Sequence, residues 1–375
     1  MKNTITLIEI FQSFLTLEEI LGVYESFGYT ETSRKFKGLD LYNFLIISAV
    51  NEYKSYRYGA DLMQRDGLIP VNYSTISKKS NLMNYQIAKK LFAIIISKCN
   101  RPLRRLLNLP KDIIAIDSTT INLGRKKLEW AKYRKHKAGI KLHVAYNVNS
   151  NQPQKVKETC ASKHDGPAGE EIIDINNIIV EDRAYSKYSR FDKFETLKQS
   201  FVIRIKENAI VSTPKNLKFL KFDDSKIQKD FTCYLGNDKT KTENRFRIVT
   251  FSDYDGKSIQ VCTNIRDIDP DRIAEIYKAR WNVECFFRFI KQNFNVKNLF
   301  GTTKNSVYNQ LFIALIAYVL LKFIHNKTIK NIRFSKLSFS TFLRKFLNQS
   351  IIGELSIIIS LMLKKIHLQD DINSH

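Results

Sequence analysis

Apolar residues recur at helical spacing through the first third of the chain, as at Leu41, Phe44 and Leu45, with few β-branched alternations. Residues 1–108 therefore read as a helical region. Within it, Tyr73 to Ser80 followed by Tyr85 to Ile96 has the outline of a helix-turn-helix whose second helix offers Lys89 and Lys90 on a polar face. An ordinary helical hairpin fits the same pattern. From residue 113 the texture changes. Ile113-Ile114-Ala115-Ile116 is wholly apolar, the pattern of a strand buried on both faces, and it stops at Asp117-Ser118-Thr119-Thr120. Gly139 to Val148 and Lys155 to Ala161 read as two further strands, Glu170 to Ile175 as a helical stretch, and Ile178-Ile179-Val180 as a strand ending in Glu181-Asp182. An amphipathic helix near Asp192 to Lys198 and a strand from Phe201 to Ile205 follow. The predicted order is β-β-β-α-β-α-β, with an acid at the end of the first and fourth strands.

Residues 206–262 hold turn formers (Pro214, Asp223-Asp224, Gly236-Asn237-Asp238, Asp255-Gly256) between short β-rich pieces such as Phe231 to Leu235 and Phe246 to Phe251, which suggests a small β insertion. Asp269-Pro270 then starts a helix predicted to run to about Phe294. On that helix Tyr277, Arg280, Glu284 and Lys291 fall on one narrow face, with Arg288 near the same line. Ile276, Val283, Phe287, Ile290 and Phe294 form the apolar stripe beside it. A solvated face with ion pairs is the plain alternative. The remainder, from 301 to 375, reads as helical with apolar stripes and basic faces.

Charge changes this picture. The 375 residues carry 61 Lys+Arg against 37 Asp+Glu, a formal +24, and 43% hydrophobic residues suffice for two or three cores. The surplus is clustered. No acid occurs between Glu284 and Glu354, while eleven Lys or Arg do, and Arg125 to Lys141 holds eight cations, Lys135 and Lys141 among them, against Glu129 alone. Clustering with aromatics interleaved (Trp130, Tyr133, Phe286, Phe287, Phe289, Phe294) favours a nucleic-acid partner over a merely solvated basic surface. Five cysteines at irregular spacing without a C-x-x-C exclude the usual zinc patterns and make a disulfide framework improbable. No signal peptide is visible, and the longest apolar run, Leu311 to Leu321, is 11 residues, short of a membrane span. The expectation is a soluble, cytoplasmic protein with no membrane partner.

Two acids at strand ends and a third on a helix, if they converge, supply oxygen ligands for a hard divalent ion such as Mg²⁺ or Mn²⁺. Paired ions of this kind assist in-line attack on a phosphodiester, and nearby cations bring the polyanion in.

With these residues in view, the sequence resembles the DDE transposases of bacterial insertion sequences, in the group with a Y-x-x-R-x-x-x-E-x-x-x-x-x-x-K signature (insertion-sequence family four). Tyr277, Arg280, Glu284 and Lys291 fit that spacing without a gap. Asp117-Ser118-Thr119-Thr120-Ile121 looks like the first-Asp motif, Lys141-Leu142-His143 like the strand after it, and Asp182-Arg183-Ala184-Tyr185 like the second-Asp motif. One departure is Glu181, where glycine commonly precedes the Asp. It leaves two adjacent acids for one role, and the following Arg-Ala-Tyr favours Asp182.

The resemblance spans about residues 110 to 300. It implies an α/β fold: a ribonuclease H-like catalytic core (109–205 and 263–300) interrupted by the β-strand insertion (206–262). A helical, DNA-binding N-terminal region (1–108) and a basic helical C-terminal region (301–375) would flank it. It also implies cut-and-paste movement of the protein's own element, with Asp117, Asp182 and Glu284 holding two Mg²⁺ or Mn²⁺ ions. Arg280 and Lys291 would contact phosphates near the cleaved end and Tyr277 would hydrogen-bond to the backbone there, while Arg288, Lys135 and Lys141 are DNA-binding candidates by their place in the basic clusters. Trp281 either stacks on an unpaired base or packs as a partly buried tryptophan. The implied partners are double-stranded DNA, as terminal inverted repeats and target, and a second copy of the chain in a synaptic complex at the bacterial nucleoid. His143 and His136 lie near these motifs and read as structural, Cys285 as helix packing. A non-catalytic DNA-binding derivative and a ribonuclease H-like nuclease without strand transfer are the two other readings open to the sequence.

Overall fold

A computed structural model of the chain describes residues 6–104, 111–123, 128–134, 137–163, 175–217, 225–253, 255–348, 357 and 359–361. Six helices come first: α1 (Leu7–Phe14), α2 (Leu17–Ser26), α3 (Gly38–Val50), α4 (Tyr56–Leu62), α5 (Tyr73–Leu82) and α6 (Tyr85–Arg104). Thr6 and Thr16 each close a capping box with the glutamate three residues on, which fixes where α1 and α2 begin. The strands are β1 (Ile113–Asn122), β2 (Lys132–Arg134), β3 (Lys137–Asn147), β4 (Gln152–Cys160), β5 (Ile178–Glu181), β6 (Phe201–Arg204), β7 (Val211–Asn216), β8 (Ile227–Leu235), β9 (Phe246–Ser252) and β10 (Ser258–Thr263). Helix α7 (Tyr188–Thr196) joins β5 to β6, and α8 (Pro270–Lys278), α9 (Trp281–Asn293), α10 (Lys304–Thr328) and α11 (Phe339–Leu347) follow the strands. Of the predicted helix Glu170 to Ile175, residues 170–174 lie outside the described residues.

All ten strands belong to one sheet of order β2-β3-β1-β5-β6-β10-β9-β8-β7, with β4 also paired to β3. The fold is therefore mixed α/β. β1, β5 and β6 are mutually parallel and the other neighbours antiparallel. The strands of residues 206–262 continue this sheet through the β6–β10 pair. Gly236, at φ +101°, turns the chain after β8, and a Cβ there would lie 2.4 Å from the Thr240 carbonyl oxygen.

Strand alternation sends Ile114, Ile116, Ile179, Ile203, Ile248 and Cys233 to one face, under α7. The other face is covered twice. Val180, Val202, Val249 and Val261 pack on Ile273, Ala274, Ile276 and Tyr277 of α8. Ala115, Leu142, Val144 and Tyr146 pack on Val283, Phe286, Phe287 and Ile290 of α9, in a core shared with α1–α6 and α10.

Three sequence expectations are corrected here. β1 does not stop at Asp117, because β3 pairs with it from Ile114↔Asn147 to Asn122↔Gly139 and carries the polar residues along. The predicted helix from Asp269 to Phe294 is two helices, since at Ala279–Arg280 the bonds tighten to Arg280 N–H→Tyr277 O and Val283 N–H→Arg280 O. The apolar run Leu311 to Leu321 sits in a 25-residue helix long and apolar enough to cross a membrane, and 94% of its most apolar window is buried against the rest of the chain. It is apolar all round and not striped. Each large apolar side chain so buried contributes about 1.5–3 kcal/mol. Polar residues that lengthen it bond to neighbouring backbone: Asn309 donates to the Met83 carbonyl and Gln310 to those of Asn295 and Asn298.

The helix-turn-helix candidate forms as α5 and α6, but Lys89 is ion-paired to Glu158 of β4 at 2.8 Å, and the Tyr85 hydroxyl donates to the same carboxylate. With α6 packed between α10 and β4, the segment is a helical hairpin.

Candidate active site

β1 and β5 run parallel and in register through Ile116↔Glu181. The next residue after each is an acid, Asp117 within β1 and Asp182 just past the end of β5, still in extended backbone. Parallel register sets them side by side, about 4.8 Å apart across the ladder and on one face. β6 continues the row: Val180 pairs with Val202, so Arg204 stands beside Asp182 on the same face. The row lies at the carboxyl ends of three parallel strands, where crevices in open α/β sheets form. Glu181 points the other way. It is fully buried and accepts two N–H bonds from Arg190 of α7, so of the two adjacent acids only Asp182 reaches the Asp117 face.

The third acid arrives on α9. Arg280, in the tightened turn before it, donates to Glu284 Oε1 at 2.6 Å through Nη2 and to Asp117 Oδ2 at 3.5 Å through Nη1. One guanidinium thus holds the strand acid and the helix acid together. Lys291 sits one helical turn pair further on and donates to Thr119 Oγ1 at 2.5 Å, on the same face of β1 as Asp117. Burial pushes the Asp117 carboxyl up to about 6; the charges of Glu284 and Asp182 add to this, while the Ser118 N–H and Arg280 oppose it. Burial, with Lys297 nearby, also lowers Lys291.

Tyr277 is 4% exposed, its ring 6.1 Å from Phe251 and 5.8 Å from the Arg280 guanidinium. Its hydroxyl is buried with no hydrogen-bond partner among the described residues, so it lies beneath Arg280 and not on an open face. Trp281 is 52% exposed, with Arg288 5.6 Å above its ring. Lys141 pairs with Thr120, three residues from Asp117, and therefore faces away from the acids; its ammonium reaches the Lys163 carbonyl at 3.0 Å. His143 pairs with Ser118 on that same far face and bonds to Thr159 Oγ1. Cys285, read as helix packing, is exposed. Lys135 and His136 lie outside the described residues.

Thr119 and Arg204 were not singled out from the sequence, yet both stand in the site. The signal for Arg204 is a lone cation closing an apolar strand, meaningful only once the β5–β6 register is known. Among the described residues no three His, Cys, Asp or Glu side chains stand close enough to hold an ion as they are, because Arg280 occupies both Asp117 and Glu284.

Residues 108–320 match the family model described as "Transposase DDE domain". Over 346 residues, 92% of each chain, the sequence is 44% identical to the "Probable transposase for insertion sequence element IS5377" of Geobacillus stearothermophilus. Among solved structures it is similar to the piggyBac transposase synaptic complex with hairpin DNA, at TM-score 0.49 and 13% identity, covering 99% of this chain and 85% of that one.

Proposed function

The chain belongs to the DDE transposase family of insertion sequence elements, and on that premise we propose that Asp117, Asp182 and Glu284 are the catalytic acids of a DNA transposase that cuts its element at terminal inverted repeats and joins it to target DNA. One observation carries the reading. Arg280 binds both Asp117 and Glu284, and Asp182 follows the Ile116↔Glu181 pair, so a strand acid and a helix acid meet at one cation with a second strand-end acid beside them.

The donor set suits a hard divalent ion. It consists of three carboxylates without sulfur or nitrogen ligands, and burial, with the charges of Glu284 and Asp182 adding to it, pushes Asp117 up to about 6. Asp117, Asp182 and Glu284 would hold two Mg²⁺ or Mn²⁺ ions, which when bound acidify the attacking water or 3′-hydroxyl and neutralise the leaving oxygen. The chain's own cations do the rest. Arg280, drawn off Asp117 and Glu284, and Lys291, steadied by Thr119, bind phosphate oxygens beside the scissile bond. Trp281, with Arg288 on one face of its ring, offers the other face to an unpaired base. Tyr277 supports Arg280 from below. In this reading β1, β3, β4, β5 and β6 with α7 and α9 are a ribonuclease H-like core, residues 206–262 its insertion, and residues 1–108 and 301–375 its helical flanks. Cutting two element ends in one complex calls for a homodimer.

The test uses Asp117→Asn and Glu284→Gln. Both variants still retard an end-containing DNA fragment in a gel and lose cutting in Mg²⁺. Cutting at the parent's rate by either variant ends the assignment.

A further inference from the structure

Beside Asp182, a cleft of about 580 Å³ opens just past the carboxyl ends of β5 and β6. Its walls are Asp182, Arg183, Ala184, Lys206, Glu207 and Asn208. Its volume falls in the range of about 300–1,000 Å³ typical of ligand sites. Arg204 ends β6 one residue past the Glu181↔Ile203 pair, level with Asp182, and Lys206 lies two residues further along the chain. The charges of Arg204 and Asp182 both act on the Tyr277 hydroxyl, which places the three within one electrostatic neighbourhood.

These cations differ from the buried arginines of α7 and β9. Arg190 and Arg247 are buried and each is matched by two bonds to a carboxylate, Glu181 and Asp230. Among the described residues, the side chains of Arg183, Arg204 and Lys206 have no ion-pair partner, although Arg204 is half-buried. A half-buried guanidinium without a carboxylate is costly unless an anion completes it. The acids are thus flanked by cations on two sides: Arg280 and Lys291 by way of β1 and α9, and Arg204, Arg183 and Lys206 by way of β5 and β6. Strand joining requires that arrangement, since an attacking 3′-hydroxyl and the phosphodiester it attacks belong to two backbones that meet in line at the acids.

We propose that Arg204, Arg183 and Lys206 form a second phosphodiester-binding subsite, on the Asp182 side of the acids, that takes the backbone of the target strand. The proposal rests on the transposase reading above. Its test uses the full-length protein, a pre-cut element end bearing a 3′-hydroxyl, an uncut end, and a labelled target duplex, with Arg204→Gln, Arg204→Lys and Lys206→Gln. Arg204→Gln lowers the ratio of joined to nicked product about tenfold, and Arg204→Lys, which keeps the charge, restores part of the loss. Lys206→Gln, at an exposed position, lowers the salt dependence of target capture by about one phosphate contact. Retardation of end-containing DNA reports that each variant is folded; if Arg204→Gln fails that check, Arg204→Lys and Lys206→Gln carry the test. The subsite is overturned by an unchanged joined-to-nicked ratio, and equally by nicking and joining that fall in parallel, which assigns these residues to the cleaved end. A parent protein that nicks and joins nothing overturns the transposase mechanism itself, a distinct result.

Discussion

Asp117→Asn, designed to abolish chemistry, is predicted to stabilise the fold. In the folded chain the Asp117 carboxyl titrates at about 6, up from 3.8, chiefly because it is buried, with 22% of its side chain exposed. The folded state therefore binds more protons than the unfolded state between these values, and stability is lost as the pH rises through that window. At about 1.36 kcal/mol per pK unit, ionising Asp117 costs the native state about 3 kcal/mol at pH 7 and above. Asparagine keeps the shape and removes the charge. Without metal, the variant should be more stable than the parent by about 3 kcal/mol at pH 7.5, by about 1–2 kcal/mol at pH 5, and by almost nothing below pH 4. Urea unfolding of both proteins across that range, in chelator, measures the difference. A variant that is equal or less stable at pH 7.5, or a gain that does not shrink toward pH 4, refutes the account of a desolvated carboxylate. Mg²⁺ at millimolar concentration should stabilise the parent and leave the variant nearly unmoved.

Arg190→Met strands the buried Glu181 carboxylate and should cost about 3–5 kcal/mol, while Glu181→Leu with Arg190→Met recovers most of it. End cutting per folded molecule should persist in that double variant, and its loss would return the second acid to Glu181. Arg280 competes with a divalent ion for Asp117 and Glu284, so DNA that draws Arg280 away should tighten Mn²⁺ binding at least about fivefold, by reciprocal linkage. Calorimetry on Arg280→Ala should find tight Mn²⁺ binding without DNA and no further gain with it; a gain equal to the parent's excludes the competition. Trp281→Ala should weaken binding of an end with an unpaired base by about 1–3 kcal/mol and leave urea stability unchanged, because the ring is already exposed.

The parts of the site legible in the sequence are those written in local pattern. Asp117 and Asp182 stood out because each interrupts an apolar run, and the turn of Tyr277, Arg280, Glu284 and Lys291 because their spacing selects one helix face. What escaped depends on partners far along the chain. Ser118-Thr119-Thr120 reads as the end of a strand until β3 pairs with it. β7 is an exposed polar strand containing Pro214, tolerable only because it lies at the sheet's edge. The break before α9 leaves no mark, since Ala279 and Arg280 both keep helical dihedrals. Nor does composition show that the acid-free segment after Glu284 contains α10, a helix buried in the core and not a basic surface track.

That break has a physical cause and a consequence. α8 lays its apolar stripe on β5, β6, β9 and β10, whereas α9 lays the continuation of that stripe on β1 and β3 and on the helical core. A straight helix cannot follow two cores across a twisted sheet, and the chain tightens by one 3₁₀ turn at the crossing. Residues three apart eclipse in such a turn, which stacks Arg280 over Tyr277 and aims the guanidinium back toward β1. The crossing falls where β1 and β5 part company after Ile116↔Glu181, where two strand-end acids emerge side by side. Glu284 meets Asp117 there because two separately packed cores share a boundary. Stability of either core thus bears on the geometry of the acids, and substitutions at Ile276 or Val283 act on the site through packing alone.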